Sequence, residues 1–393
     1  MTDQDVVILA AQRTPIGAFQ GALAPLSAPQ LGAAAARAAI EAAGVAPAEL
    51  QEVVLGCVLS AGLGQAPARQ AALGAGVPAA VPATTLNKMC GSGLKAVMVA
   101  ADQLRSGDTE LTLAGGLESM SNAPYLLAKA RAGYRLGHGE LIDHMFYDGL
   151  QSPFDGQLMG CFAEATATKY GFTRAAQDAF AAESVRRALR AAAEGDFAAE
   201  IAPVTVKSRK GETTVSGDET PLTLDVSRIP TLKPAFAKDG TVTAASSSSI
   251  SDGAAALILA RDALARGRGL KPLARIAGYA SHAQAPEWFT TAPVAAIRKT
   301  LARVGWSARD VDLYEINEAF AAVTLAAVRD LELDPARVNV NGGACALGHP
   351  IGATGARILT TLVHALRRRG ARRGIAALCI GGGEAVAMAV ETL

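Results

Sequence analysis

Two cysteines and a histidine of this chain lie in short glycine-rich segments that can expose a reactive side chain. Cys90 is followed by Gly-Ser-Gly, His349 lies in Gly-His-Pro-Ile-Gly, and Cys379 comes just before Ile-Gly-Gly-Gly. A cysteine can carry an acyl group, a histidine can remove the thiol proton, and a second thiol can move another proton. The three segments together indicate an acyl-transfer enzyme that uses two cysteines and makes or breaks a carbon–carbon bond.

The residues around Cys90 favour a nucleophile, although a lone cysteine is more often a small buried side chain. Gly91 and Gly93 leave room for a bulky acyl group, and the backbone N–H groups there can face an oxyanion. Apolar residues recur at helical spacing after this segment: Leu94, Val97, Met98, Ala101 and Leu104. This spacing predicts a helix whose N-terminus favours the thiolate of Cys90.

Three other residues are candidates to work with this thiol. His349 is the candidate base, because a free cysteine with a pKa of about 8.5 is little ionised at neutral pH. Cys379 ends a predicted buried strand, and the glycine turn after it is either an oxyanion donor or a plain strand-to-strand turn. Asn317 lies where a strand pattern changes to a helix, and it either caps that helix or orients a water or carbonyl.

Composition indicates a globular protein with a large core and a small specific ligand. Half of the 393 residues are hydrophobic, 19% are charged, and the mean hydropathy is +0.23. A formal net charge of +1 gives no broad field for nucleic acid or a membrane surface. We recognise no export signal and no apolar run long enough to span a bilayer, so the expected compartment is the cytoplasm. The five cysteines include no Cys-x-x-Cys pair, which indicates reduced thiols.

Strand-like apolar runs alternate with alanine-rich helical stretches, which predicts parallel sheets covered by helices. The runs are Asp5–Ala10, Glu52–Leu59, Glu110–Leu113, Ala256–Leu259 and Ile375–Ile380. The Cys90 and His349 segments each lead through a predicted helix to a strand that ends in glycines, which predicts a duplicated α/β unit. Between about 117 and 249 the pattern becomes irregular. This region predicts an inserted loop domain that forms a wall of the substrate site.

Four segments of the chain form a combined signature. They are Asn87–Val97, Asn317–Ala321, Asn339–Arg357 and Cys379–Gly383. Together they resemble the thiolase family, the acetyl-CoA C-acyltransferases, and the similarity extends over nearly the whole chain. The resemblance implies an α/β thiolase fold, in which two duplicated βαβαβαββ halves form a layered α-β-α-β-α core with an inserted loop domain.

The resemblance also implies domain boundaries and an assembly. The N-terminal half would consist of 1–118 and 250–270, the loop domain of 119–249, and the C-terminal half of 271–393. The loop domain would hold substrate and CoA. The chain would form a homodimer or a homotetramer.

The activity implied by the resemblance is CoA-dependent cleavage of a 3-oxoacyl-CoA, preferably acetoacetyl-CoA or another short chain, and the reverse Claisen condensation. Cys90 would attack the keto carbon after His349 takes its proton. Cys379 would protonate the enolate of acetyl-CoA and then deprotonate the incoming CoA. One oxyanion site would use His349 and a water held by Asn317. The other would use the backbone N–H groups of Cys90 and Gly381.

The resemblance further implies which residues contact the substrate. CoA would be a substrate, with no permanently bound cofactor and no metal. The serine that meets the pantetheine arm corresponds to Ser248, within a run of four serines. Leu158 and Met159 would contact the acyl group or the pantetheine arm, and Leu158 stands, before Met159-Gly160, where many acetoacetyl-CoA-specific members have a histidine. Phe289 matches a place where some short-chain members put a bulky residue against the acyl group. Glu384 departs from the methionine or glycine that more usually follows the glycine turn.

Three alternative functions fit parts of the sequence. Cys345, His349 and Cys379 could bind zinc, but a metal there would remove the proton transfers. The chain could be a non-catalytic thiolase-like protein that binds CoA or lipid, although relatives of that kind lose reactive residues that are all present here. A carrier-protein-dependent ketosynthase would use two histidines where this chain has Asn317 and His349.

Overall fold

A long mixed β-sheet forms the centre of the computed structural model, which describes residues 5–209 and 211–393. The strands are β1 (Val6–Arg13), β2 (Gly17–Ala18), β3 (Glu52–Gly56), β4 (Ala83–Leu86), β5 (Leu111–Ser119), β6 (Tyr125–Leu126), β7 (Ile142–Asp143), β8 (Val204–Ser208), β9 (Gly211–Val215), β10 (Ser251–Arg261), β11 (Ala274–Ala283), β12 (Leu313–Ile316), β13 (Arg373–Ile380) and β14 (Glu384–Thr392).

Helices cover both faces of this sheet. They are α1 (Ala28–Ala43), α2 (Pro67–Gly74), α3 (Ser92–Ser106), α4 (Met159–Tyr170), α5 (Arg174–Ala193), α6 (Asp262–Gly267), α7 (Ala292–Val304), α8 (Ala321–Asp330), α9 (Ala344–Leu347) and α10 (Thr354–Arg368). None of the helices in the described parts of the chain is long and apolar enough to cross a membrane.

The sheet consists of two halves with the same strand order. The first half runs β4-β3-β5-β10-β1, and the second runs β12-β13-β14-β11 with a parallel bridge between Tyr314 and Val338 in the place of β4. In both halves the first strands are parallel and the last two are antiparallel to their neighbours. The halves join where β1 pairs with β11. The predicted duplication is therefore confirmed.

The pairing of β13 with β14 corrects the expectation of parallel sheets. These strands are antiparallel and are joined by the short turn Gly381–Gly383. A tight turn can join only antiparallel neighbours, since a parallel strand needs a long crossover. The glycine turn after Cys379 is thus a hairpin, and the sheet is mixed.

Helices α3 and α10 form the middle layer of the fold. Their apolar faces pack together with the inner faces of both half-sheets, while α1 and α2 cover the first half-sheet and α7 and α8 cover the second. This arrangement is the predicted α-β-α-β-α layering. The buried side chains of α10 on this face are Ile358, Leu359, Leu362, Val363 and Leu366.

The N-terminal ends of α3 and α10 touch backbone to backbone. A Cβ added at Gly93 would lie 2.7 Å from the backbone N of Ala356, and one added at Gly355 would overlap the backbone N of Leu94. Only glycine fits at either position. Because of this contact, the turns that precede the two helices lie side by side.

The chain between β5 and β10 contains the hairpins β6–β7 and β8–β9 together with α4 and α5. Helix α5 packs against α9, and α4 packs against α8, so this region contacts the C-terminal half. Its predicted boundaries, 119 and 249, remain a prediction.

Candidate active site

The turn that carries Cys90 is held in a strained conformation. Met89 has φ +49°, in the left-handed region that non-glycine residues rarely adopt. Its N–H donates to Oδ1 of Asn87 over 2.8 Å, and its carbonyl accepts from the hydroxyl of Ser92 over 2.6 Å. The same hydroxyl oxygen accepts from the N–H of Lys88 over 2.8 Å. These local hydrogen bonds stabilise the strained conformation of Met89 and fix the position of Cys90.

The turn of Cys90 packs against the end of β13, where Cys379 lies. A Cβ at Gly91 would overlap the side chain of Ile380, the residue after Cys379. Burial raises the pKa of Cys379 well above its ordinary value, and a negative charge on Cys90 raises it further. Gly91 and Ile380 directly follow Cys90 and Cys379, so their contact sets the two cysteines near each other. The structure therefore brings both candidate cysteines into one site.

Backbone N–H groups face the sulfur of Cys90. Burial raises the pKa of Cys90 to about 11, while the N–H groups of Gly381 and of Cys90 itself lower it by donating to the thiolate. Helix α3 begins at Ser92, two residues after Cys90. Burial outweighs these N–H donors, so the position of Cys90 before the helix does not by itself ionise the thiol. The resting side chain is a neutral thiol.

His349 is buried, with 5% of its surface exposed. The hydroxyl of Thr354 donates to the carbonyl of Pro350 over 2.9 Å and lies 2.6 Å from Nδ1 of His349. Since the hydroxyl has only one proton, Nδ1–H must donate to it, and this assigns the lone pair to Nε2. Burial, together with the smaller effect of the charge of Arg357, lowers the pKa of His349 to about 3. The ring is therefore neutral.

Two buried polar groups of the site have no hydrogen-bond partner among the described residues. One is Nε2 of His349, and the other is the side-chain amide of Asn317, at both its oxygen and its nitrogen. Buried groups of this kind are normally paired with protein or water, so both are available to a ligand. Helix α8 begins at Ala321 after the N-cap residue Phe320, so Asn317 does not cap it.

The backbone of Asn317 ties it to the strand of Cys379. Its N–H donates to the carbonyl of Ala377, two residues before Cys379, over 2.9 Å. Asn317 is the first residue after β12, and β12 pairs with β13. Here the carboxyl ends of parallel strands place both side chains at one edge of the sheet.

An apolar cavity of about 200 Å³ opens beside these groups. His349 and Ser248 line it, together with Leu158 and Met159, so three of the four predicted substrate contacts lie on its wall. The sulfur of Met159 lies 3.2 Å from where a Cβ on Gly381 would be. Among the residues predicted to take part in catalysis, His349 lines this cavity, and Cys90, Cys379, Asn317 and Gly381 do not.

Phe289 does not line this cavity. It is 3% exposed and packs edge-on against Phe162, with ring centroids 6.1 Å apart. Both rings belong to the apolar cluster that contains Cys379 and Phe320. Any influence of Phe289 on an acyl group would act through this cluster, and its predicted direct contact remains a prediction.

Glu118 is a buried residue of the site that the sequence analysis did not single out. Its carboxylate accepts the N–H groups of Val58 and Leu59, both over 3.1 Å, and of Gly352 over 2.9 Å. It thereby ties the loop after β3 to the turn that contains His349. Burial raises its pKa to about 7, against these three donors. The available signal was the only charged residue of the strand β5.

The zinc alternative finds no support in the geometry. Within residues 5–209 and 211–393, no group of three or more histidine, cysteine or acidic side chains is placed to hold a metal ion. The thiol of Cys345 faces the carbonyl of Glu318 at 3.7 Å. It therefore has a structural partner within its own half.

Comparison with known proteins identifies the family. The model of the thiolase N-terminal domain matches residues 6–263, and that of the thiolase C-terminal domain matches residues 270–392. The chain belongs to the thiolase family. The thiolase fold is confirmed as well, since a crystal structure of the Bacillus anthracis acetyl-CoA acetyltransferase aligns with a TM-score of 0.97. That alignment has 45% identity and covers 99% of each chain.

Similar enzymes extend over the full length of this thiolase. An acetyl-CoA acetyltransferase of Pseudomonas aeruginosa is 54% identical over 387 residues, which covers 98% of both chains. One of Cupriavidus necator is 51% identical over 391 residues and covers 98% of this chain and 99% of the relative. Relatives at this identity bear the name of an enzyme, so the non-catalytic alternative is not supported.

The alkylation of Cys90 should reveal its raised pKa. Because that pKa is about 11, the rate with iodoacetamide should rise about tenfold per pH unit from about pH 7 to about pH 10 without a plateau. Mass spectrometry of the peptide that contains Cys90 measures the rate, with Cys90→Ser as the unlabelled control. A plateau near neutral pH would reveal a thiolate at rest and contradict this account.

Proposed function

We propose that this thiolase transfers the acyl group of a 3-oxoacyl-CoA to free CoA, releases acetyl-CoA, and also catalyses the reverse Claisen condensation. The observation that carries the proposal is the packing of the Cys90 turn, at Gly91, against Ile380, which lies between Cys379 and Gly381. The enzyme names of the relatives agree with it.

The first step is the attack of Cys90 on the keto carbon. Cys90 and His349 are both neutral at rest, with pKa values near 11 and 3, so the pair does not form a resting ion pair. The thiol proton passes to Nε2 of His349 as the sulfur attacks. The N–H groups of Cys90 and Gly381 then lie near the oxygen of the acyl group on sulfur, where they stabilise its negative charge.

The second step is the cleavage of the carbon–carbon bond. The electron pair of that bond passes to acetyl-CoA as its enolate, and the acyl group stays on Cys90. Nε2–H of His349 and a water held by the unpartnered amide of Asn317 donate to the enolate oxygen. Both groups are buried and unpartnered by protein, so they need little rearrangement to do so.

Cys379 supplies the proton that the enolate carbon receives. Burial and the nearby Cys90 keep its pKa well above the ordinary value, so it holds a proton at neutral pH. After giving that proton to carbon, its thiolate takes the proton of the incoming CoA thiol. The CoA sulfur then accepts the acyl group, and Cys90 regains its proton from His349. All protons and thiols return to the starting state.

The cavity favours a short acyl chain. Its volume of about 200 Å³ has to hold part of the pantetheine arm as well as the acyl group, and its lining is largely apolar. Leu158 and Met159 contribute apolar wall, and Ser248 contributes a hydroxyl that can meet the amide groups of pantetheine. We infer that acetoacetyl-CoA is the preferred substrate.

Purified protein should consume acetoacetyl-CoA only when free CoA is added, because CoA must lift the acyl group from Cys90. The loss of absorbance of the acetoacetyl thioester measures the rate. A series of 3-oxoacyl-CoA esters should give the highest rate with the four-carbon ester.

The variant Cys90→Ala should lower the rate by at least about a thousandfold, while circular dichroism shows an intact fold. Undiminished turnover by that variant would refute the role of Cys90.

Cys379→Ala should separate the two half-reactions. Without this thiol the enolate carbon lacks its acid and base, so exchange of the methyl protons of acetyl-CoA with deuterium should fall by at least about a hundredfold. Acylation of Cys90 by acetyl-CoA should persist, and mass spectrometry of the protein detects it. Normal deuterium uptake by this variant would show that another group moves the proton.

We also propose that the chain forms a homodimer or a homotetramer. Strand β4 lies at the edge of the sheet, where unpaired backbone groups favour association with another strand. Large apolar side chains are exposed in and around the hairpin β6–β7, namely Tyr125, Leu127, Leu136 and Leu141. Exposed apolar patches of this kind often mark protein–protein interfaces. Sedimentation equilibrium should give two or four times the chain mass of 40.0 kDa. A single species at the chain mass would contradict the proposal.

The proposed chemistry implies a reducing compartment. Both Cys90 and Cys379 must remain free thiols, and the five cysteines of the chain, all within its described part, are unpaired. We therefore infer that the protein works in the cytoplasm, where thiols are kept reduced.

A further inference from the structure

One ion pair joins the two turns on which the proposed oxyanion donors lie. Nζ of Lys88 contacts Oε2 of Glu384. Lys88 is two residues before Cys90, and Glu384 is three residues after Gly381. The pair therefore links the segments that supply the N–H groups of Cys90 and Gly381.

Both ends of this ion pair are anchored in rigid backbone. The N–H of Lys88 donates to Oγ of Ser92 over 2.8 Å, and its carbonyl accepts from Gly91 over 3.1 Å, within the strained turn of the nucleophile. Glu384 is the first residue of β14 and pairs with Ile380 across the hairpin. The ion pair therefore fixes the distance between these two turns.

The glycine turn between these anchors is tied to the neighbouring segment at Gly383, whose carbonyl accepts from the N–H of Gln284 over 2.8 Å. Gly382 and Gly383 have φ values of +95° and +93°, and glycine permits many other conformations. Below the turn, the contact of Gly91 with Ile380 holds the two segments together at one point. The ion pair forms a further contact between the segments of Cys90 and Gly381, on their solvent side.

The exposure of the pair indicates a role in geometry more than in stability. The side chains of Lys88 and Glu384 are 30% and 33% exposed. Ion pairs with this much solvent contribute little to the free energy of unfolding. A small displacement of an oxyanion donor nevertheless lowers a rate strongly, because the donor acts only at one geometry.

We propose that Lys88 and Glu384 are a positioning pair, which fixes the N–H group of Gly381 relative to the N–H group and sulfur of Cys90. This inference rests on the proposed function for its effect on turnover. Neither side chain touches the reacting atoms in this role.

The kinetic test uses Lys88→Met, Glu384→Gln and the double variant. Each single variant should lower kcat for thiolysis about 3- to 30-fold, and the KM for CoA should change less than about twofold, because a donor is displaced and binding is not. The double variant should be no worse than either single variant, since all three lose the same contact. Exchange of the two charges, Lys88→Glu with Glu384→Lys, should recover most of kcat.

A second measurement distinguishes position from charge and does not depend on turnover. The N–H of Gly381 lowers the pKa of Cys90, so loss of its position should slow alkylation of Cys90 by iodoacetamide at about pH 9 in both single variants. A pure charge effect would act in opposite directions, slowing the reaction when the lysine is removed and speeding it when the acid is removed. Opposite directions would overturn the proposal.

Arg268→Met is the matched control. It removes the ion pair of Arg268 with Glu49, which has a distance of 2.7 Å and exposures of 34% and 37%, close to those of the proposed pair. The kcat of this control and its alkylation rate should equal those of the unaltered protein.

An unchanged kcat in Lys88→Met and Glu384→Gln would overturn the proposal. A double variant whose loss of kcat equals the product of the two single losses would also overturn it. An inactive unaltered protein would contradict the proposed function, and the alkylation rates would still decide the role of the pair.

Discussion

The contact between the N-terminal ends of α3 and α10 is the constraint on which the site depends. Gly93 and Gly355 allow the two helix backbones to touch, and no side chain fits between them. Because each helix follows one functional turn, this contact brings the segments of Cys90 and His349 together from chain positions far apart. Glu118 strengthens the same arrangement, since its carboxylate binds the turn after His349 to the loop after β3. The rest of the layered core supports this junction of two duplicated halves.

Burial sets the chemistry of the groups that meet there. It raises the pKa values of both thiols and lowers that of His349, so nucleophile, acid and base are all uncharged before substrate arrives. Charge then develops only where the N–H groups of Cys90 and Gly381 and the amide of Asn317 can stabilise it. Preorganised donors in a site shielded from water act strongly on developing charge. The site is thus suited to reactions through oxyanions and enolates.

Much of the site could be predicted from the sequence because its reactive residues lie in short segments with distinctive neighbours. The glycines beside Cys90 and after Cys379, and the turn around His349, indicate accessible reactive groups through residue types and spacing alone. Glu118 and Thr354 give no comparable signal, since an acid in a strand and a threonine at a helix start are common. Their roles arise from hydrogen bonds to residues distant in the chain or across a turn. Phe289 illustrates the converse, because a matching position did not place its side chain on the cavity wall.

The sequence by itself determined the family, the duplicated α/β organisation and the identity of the reactive residues, since these depend on local patterns and residue types. Tertiary structure decided the protonation of those residues, because burial and N–H donors come from the whole fold. It also decided which strands are antiparallel, which side chains line the cavity, and that Lys88 meets Glu384. These outcomes depend on distances between segments far apart in the chain, and such distances exist only after the two halves have packed around α3 and α10.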